Sequence, residues 1–290
     1  MNRRAVVTLL AALGPAPLAA QGLLYEGGLS VSTGTYIFAP RTTSGVVATG
    51  IALGNSRITV RASMPVYFQN TTLISLSGPG GRLPTGGSSS GAVADSGAAR
   101  KGRGSGGDRV GLMLAAAGVD VPSSAATGYD AAVGDPTMQV TWRAIDAGGT
   151  SVSASALAKA PVADTTTFGT GAWDFGIAMG IARWLGRSLV VGLDATYWRL
   201  GDMPTLAFRD PVSGSASVTY YGSPTWGAGL SASGSTSAMD GYDGPAWIGA
   251  HLVHGSGPRR WGVNAAVGLS ETAPDVSVGL TWSVRLTGGG

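Results

Sequence analysis

The chain has 290 residues, with 19 lysines and arginines against 16 aspartates and glutamates, for a formal charge of +3. Charged residues make up only 12%, glycine numbers 48 and cysteine is absent, so a charge-coated soluble enzyme fits poorly and thiol chemistry is excluded. Beyond the first twenty residues, no apolar run approaches the roughly 20 residues that a spanning helix needs.

The first twenty residues read as an export signal. Asn2-Arg3-Arg4 is its positive start, 5–13 its apolar stretch, and Leu18-Ala19-Ala20 a small-residue cleavage site before Gln21. Its removal takes the basic count from 19 to 17 against 16 acids, so net charge says little about an acidic partner. Twelve strands are then predicted, near 29–38, 45–53, 56–68, 135–146, 150–160, 172–184, 188–200, 216–222, 226–238, 245–254, 260–270 and 275–286. The last is the clearest: in Val276-Ser277-Val278-Gly279-Leu280-Thr281-Trp282-Ser283-Val284-Arg285-Leu286, every even position is bulky and apolar. Successive strand side chains point to opposite faces, so this segment has one greasy and one wet face.

The connections carry as much information as the strands. Gly54-Asn55, Ala147-Gly148-Gly149, Leu185-Gly186-Arg187, Ser223-Pro224-Thr225 and 255–259 are tight turns. Longer connections at 39–44, 69–134, 161–171, 201–215, 239–244 and 271–274 alternate with them. Short periplasmic turns and longer extracellular loops are the habit of outer-membrane barrels. The expected fold is therefore all-β: a transmembrane antiparallel barrel of about 12 strands, within a range of 10–14, in a bacterial outer membrane.

Face assignment agrees. Over 56–68 the outward set is Ile58, Val60, Ala62, Met64, Val66 and Phe68, with Arg57, Thr59, Arg61, Ser63 and Tyr67 opposite. A slip of one residue would put Asp174 or Asp194 into lipid, so register is well specified. Trp142, Trp226, Trp261 and Trp282 fall on apolar faces near the short-turn ends, and Phe68, Trp173 and Tyr197 near the long-loop ends. Amphipathic rings prefer the headgroup level, so these form two aromatic girdles.

Residues 69–134 form the largest departure. Much of the run is Gly, Ser and Ala, which buries too little apolar area to offset ordering entropy. It reads as a surface loop; alternatively its apolar part, 109–117, folds back to constrict the lumen. Gly87-Ser88-Ser89-Ser90-Gly91 and Gly102-Arg103-Gly104-Ser105-Gly106-Gly107 match catalytic and dinucleotide patterns, but without the strand–turn–helix setting those need. Arg100, Lys101, Arg103 and Arg109 make a basic cluster that reads as a solvated loop.

Four segments carry a family resemblance. They are Gly134-Asp135-Pro136, Lys159-Ala160-Pro161-Val162-Ala163-Asp164, Phe168-Gly169-Thr170-Gly171-Ala172-Trp173-Asp174 and Tyr197-Trp198-Arg199-Leu200-Gly201-Asp202. Together they resemble the outer-membrane transporters associated with the meta-pathway of phenol degradation, which are distantly similar to the fatty-acid-channel type of barrel. The resemblance spans most of 130–286 and departs where Val162 and Ala163 stand for the usual Thr and Gly. It implies a barrel with a transport role toward small aromatic or hydrophobic compounds.

The inward charges are the candidate functional residues. Arg57, Arg61, Arg143, Lys159 and Arg285 face Asp174, Asp194, Gln139 and Asn264 in the expected lumen. An excess of cations there would favour anions; alternatively, the charges pair and lock the interior. His251 and His254 are three apart in a strand, so they point to opposite faces and cannot chelate one metal together. His251 is assigned to the lumen and His254 to the periplasmic rim. No catalytic residue, metal or cofactor is expected. The expected partners are outer-membrane lipid and lipopolysaccharide and a small-molecule solute, with no nucleic acid and oligomeric state open. Passive passage of small solutes leads; a non-conducting structural barrel and a lipid-modifying enzyme are the rivals.

Overall fold

A computed structural model describes residues 22–38, 40–71, 74–77, 81–83, 129–163, 165, 169–203 and 207–286. The export signal, the two glycine patterns, the basic cluster and the apolar run 109–117 lie outside the described residues. The strands are β1 (Gly22–Gly34), β2 (Thr42–Gly54), β3 (Ile58–Gln69), β4 (Ser75–Ser77), β5 (Gly81–Leu83), β6 (Asp130–Val133), β7 (Thr137–Ala147) and β8 (Thr150–Lys159). After them come β9 (Asp174–Leu185), β10 (Leu189–Arg199), β11 (Val212–Tyr221), β12 (Trp226–Ser235), β13 (Ala246–Ser256), β14 (Arg259–Gly268) and β15 (Val276–Arg285).

Every neighbouring pair in the wall is antiparallel, and β1 pairs with both β2 and β15, so the sheet closes on itself. Both β6 and β7 pair with β3, β6 over Val66 to Gln69 and β7 over Ile58 to Ser63. They share one place in the wall, with Gly134-Asp135-Pro136 as the break between them. The barrel therefore has twelve strand positions. Closure removes the exposed edges that an open sheet would present.

The turns obey their chemistry. Ala147 pairs with Thr150 across Gly148 and Gly149, whose φ values of +60° and +75° suit a two-residue hairpin that residues with a Cβ rarely form. A bulge between Arg143 and Ile145 lets β7 re-aim at this end.

The outer face is apolar and bare: Ile177 and Met179 are 65% and 66% exposed. A water-soluble fold would cover such a belt, and lipid does so here. Trp226, His254 and Trp261 pack against one another at centroid distances of 4.4, 5.2 and 5.0 Å, with Trp282 directly opposite Trp261. At the other end Trp173 stacks on Phe175 at 5.9 Å.

Buried residues gather at the long-loop end, among them Tyr36, Tyr67, Ile74, Leu83, Leu200, Met203 and Met239. Two sequence expectations need correcting. The first strand starts at Gly22 and ends at Gly34, earlier than 29–38. Glu26-Gly27-Gly28 looks like a turn in sequence, but Gly27 lies under the Trp282 indole, which a Cβ there would strike. The expected loop 69–134 also contains the short strands β4, β5 and β6, and the β4–β5 hairpin carries Arg82 and Leu83 into the barrel.

Candidate functional site

One cavity of about 510 Å³ identifies the inner face. It is bounded by Ser30 of β1, Asp194 and Trp198 of β10, Ser215 of β11, Trp247 of β13 and Ser277 of β15. β1 and β10 stand on opposite sides of the ring, so the space they share is the lumen. A second space of about 1090 Å³ opens at the short-turn end, where Glu26, Trp184, Tyr221 and Arg260 line it.

Arg61 lies on the inner face, and its guanidinium grips Glu26 from both sides: Nε donates to Oε2 at 2.5 Å and Nη2 to Oε1 at 3.1 Å. Nη1 donates to the Gln139 amide oxygen at 3.4 Å, and the Gln139 amide donates to Ser155 at 3.3 Å. The result is a polar belt over β1, β3, β7 and β8, with Ala52 of β2 buried among them.

Lys159 is almost completely buried. Its ammonium donates to Asp135 at 2.9 Å and to Thr170 at 2.7 Å, and lies 3.1 Å from an Asp174 oxygen. The other Asp135 oxygen accepts the Val162 and Ala163 backbone N–H groups at 2.8 and 2.7 Å, and Asp174 accepts that of Gly201 at 2.9 Å. A lone buried charge would be expensive; here one cation, two carboxylates and three amides satisfy one another. The cluster ties the start of β7, the end of β8, the start of β9 and the chain after β10. These are the segments that carry the family resemblance. The side chains of Val162 and Ala163 matter little to it, because that loop takes part through its backbone.

The remaining candidates are dispersed. Arg143 reaches Asp146 at 3.2 Å and the Ser56 carbonyl at 3.3 Å, and is half exposed at the short-turn end. Arg57 and Arg285 are exposed at the same mouth. Asp194 accepts a long bond of 3.4 Å from Ser215. His251 Nε2 lies 2.9 Å from the Thr219 hydroxyl and Asn264 stands opposite His251, both on the inner face. The approach to Thr219 passes over Gly229, where a Cβ would come within 2.5 Å of the imidazole. Of the expected girdle, Trp142, Trp173, Tyr197, Trp226 and Trp261 are exposed on the outer face, whereas Trp282 and Phe68 are half-buried there.

Of the two expectations for the inward charges, free cations or mutual pairing, Arg61 and Lys159 follow the second. Glu26, Asp135 and Asp174 neutralise Arg61 and Lys159, whereas Arg57 and Arg285 are exposed at the short-turn mouth. Glu26 was missed because the first strand was expected to begin at 29, and Asp135 because it read only as a strand opener. Trp198 and Trp247 were legible by parity: each neighbours an outward residue, Tyr197 or Ile248, and so must point inward. Arg82 had no periodicity to expose it. Tyr36, in the loop after β1, adopts φ 51° and turns into the long-loop mouth. Burial pushes its phenol pKa up, and the nearby Arg82 cation opposes that rise.

Among solved structures, the chain is similar to an outer membrane channel from Pseudomonas putida F1, at TM-score 0.61 and 11% identity, covering 94% of this chain and 100% of that one. The chain has the fold of an outer-membrane channel. Weaker likenesses are to the NanC porin (TM-score 0.49, 10% identity, 91% of this chain and 100% of that one) and the P. putida toluene transporter TodX (TM-score 0.45, 13%, 93% and 92%). No family model matches the chain, and no curated protein matches it by sequence.

Proposed function

We propose that this barrel gives small amphipathic or aromatic solutes a passive path across the outer membrane, after export and loss of its first twenty residues. The observation that carries the reading is the open space inside the wall, about 510 Å³ toward the loops and about 1090 Å³ toward the turns. The outer space is walled by serine and threonine hydroxyls and by Trp198 and Trp247, surfaces that suit a molecule with one polar and one apolar side. Selection is by size and by this mixed wall. Preference for anions is then a property of the periplasmic mouth, where Arg57, Arg187, Arg260 and Arg285 stand exposed. Lipid solvates the belt, and lipopolysaccharide surrounds the loops.

The buried Lys159–Asp135–Asp174 cluster supports membership of the transporter family tied to the meta-pathway of phenol degradation, since the resembling segments build it together. A non-conducting barrel is the second reading. It is favoured by the β4–β5 hairpin, whose Leu83 packs on Leu200 and Ala238, with Trp198 and Phe208 beside them. Planar-bilayer conductance and vesicle uptake separate the two, measured on the full chain and on a variant lacking 75–130. Passage predicts current and uptake in both. Current only after the deletion makes the segment a gate, and none from either folded protein disposes of the channel.

A further inference from the structure

We propose that Arg82 and Asp194 are the two poles of a ligand site in the outer cavity, and that this site takes a small zwitterion with an aromatic body. The proposal deepens the passage reading and rests on it for the route by which ligand arrives. Three observations carry it.

First, Arg82 and Asp194 are the charged residues among the described residues that line the 510 Å³ cavity, and they are of opposite sign. Elsewhere inside the barrel, Arg61 is joined to Glu26, and Lys159 to Asp135 and Asp174. Neither Arg82 nor Asp194 is in an ion pair with a described residue. Within this cavity one charge of each sign thus faces a shared space and is available to something else.

Second, both groups have unused capacity. The Arg82 Nε is buried and has no hydrogen-bond partner among the described residues. A buried guanidinium N–H left unsatisfied is costly, and a carboxylate is the acceptor whose geometry matches it. Among the described residues, Asp194 accepts only the 3.4 Å bond from Ser215, which leaves most of its lone-pair sites open to an ammonium. The Asp194 carboxylate lies along the wall over Gly180, where a Cβ would stand 2.5 Å from Oδ1.

Third, the rest of the lining is not what a salt site would have. Trp198, Trp247, Leu83 and Leu200 offer apolar and π surface in the same space. Two separate small ions would leave that surface wet. A single molecule bearing a carboxylate, an ammonium and an aromatic ring uses all of it, and the cavity lies in the roughly 300–1,000 Å³ range of small-molecule pockets.

The test uses four probes with similar aromatic bodies: L-phenylalanine, 2-phenylethylamine, 3-phenylpropionate and 3-phenylpropanol. Binding to the purified full-length barrel is measured by equilibrium dialysis, and uptake into protein-loaded vesicles is measured separately. L-Phenylalanine is expected to bind at least tenfold more tightly than each of the other three. Arg82→Gln should bring it down to the level of the amine, with amine binding unchanged. Asp194→Asn should bring it down to the level of the acid, with acid binding unchanged. Slower migration after boiling confirms that each variant has folded. Four probes binding within twofold of one another, or L-phenylalanine unaffected by either substitution, would overturn the site while leaving passage intact if uptake persists. Preferential binding without uptake of any probe would keep the site and overturn passage.

Discussion

Replacing Lys159 by methionine asks whether the extracellular rim is held by a desolvated charge cluster. Methionine keeps a long apolar stem and removes the ammonium. It leaves Asp135 and Asp174 near each other at 6% and 0% exposure and takes a partner from Thr170. Stranding one side of a buried ion pair typically costs about 3–5 kcal/mol. The Val162, Ala163 and Gly201 amides stay on the carboxylates and soften the loss. We therefore place it at about 3 kcal/mol, roughly a hundredfold in the folding equilibrium. The assay is urea titration of tryptophan emission, with the barrel refolded in lipid vesicles. A companion variant carrying Lys159→Met, Asp135→Asn and Asp174→Asn removes all three charges and keeps acceptor oxygens for the amides. Its loss should shrink to about 1 kcal/mol, since no uncompensated charge remains. A single-variant loss below about 1 kcal/mol, or a triple variant worse than the single, would show that the cluster is not desolvated as its burial implies.

Two further substitutions test the faces of the wall. Met179→Lys, at the middle of β9 on the bare outer belt, should destabilise the barrel in vesicles by about 2–4 kcal/mol, whereas Ser217→Lys on the inner face should cost well under about 1 kcal/mol. Equal losses in the same urea titration would contradict the assignment of lipid to one side. Gly176→Val should reduce solute uptake, because a Cβ at Gly176 would meet the Trp198 ring at 2.7 Å and push the indole into the cavity. Adding Trp198→Ala to Gly176→Val should restore the rate; failure to do so would mean that the valine acts by distorting the wall.

The barrel was legible because its signal is repeated. Twelve alternating segments, each read weakly, reinforce one another once closure demands a consistent face for all of them. Boundaries failed where composition and packing conflict. Gly27 and Gly28 have turn chemistry, yet Gly27 is strand because a neighbouring tryptophan needs the space above it. The inner face could be enumerated, but its pairing could not: which carboxylate meets Arg61 depends on β1 lying two strands from β3, and residue spacing does not encode that distance. Arg82 was out of reach for a different reason. It sits in a hairpin of three-residue strands, too short to show a period, inside a run dominated by glycine and serine.

The placement of buried groups divides the barrel by height. A hollow wall has no core along its length, so ordering must come from closure and from whatever is packed at its ends. Here the dry contacts lie at the loop end, where Lys159 and its carboxylates join four segments of chain and Leu83 meets Leu200. The resembling segments supply that frame and also carry Trp198 and Leu200 into the outer cavity, whereas its charged residues Arg82 and Asp194, with Trp247, lie outside them. Frame and the charged part of the lining are thus carried by different stretches of sequence. Substitutions at Asp135 or Lys159 should therefore act on stability with little change of solute preference, whereas those at Arg82 or Asp194 should change preference in a barrel that folds as before. The resemblance accordingly speaks to how the mouth is built and to part of the cavity wall, and the two proposed charged poles lie outside it.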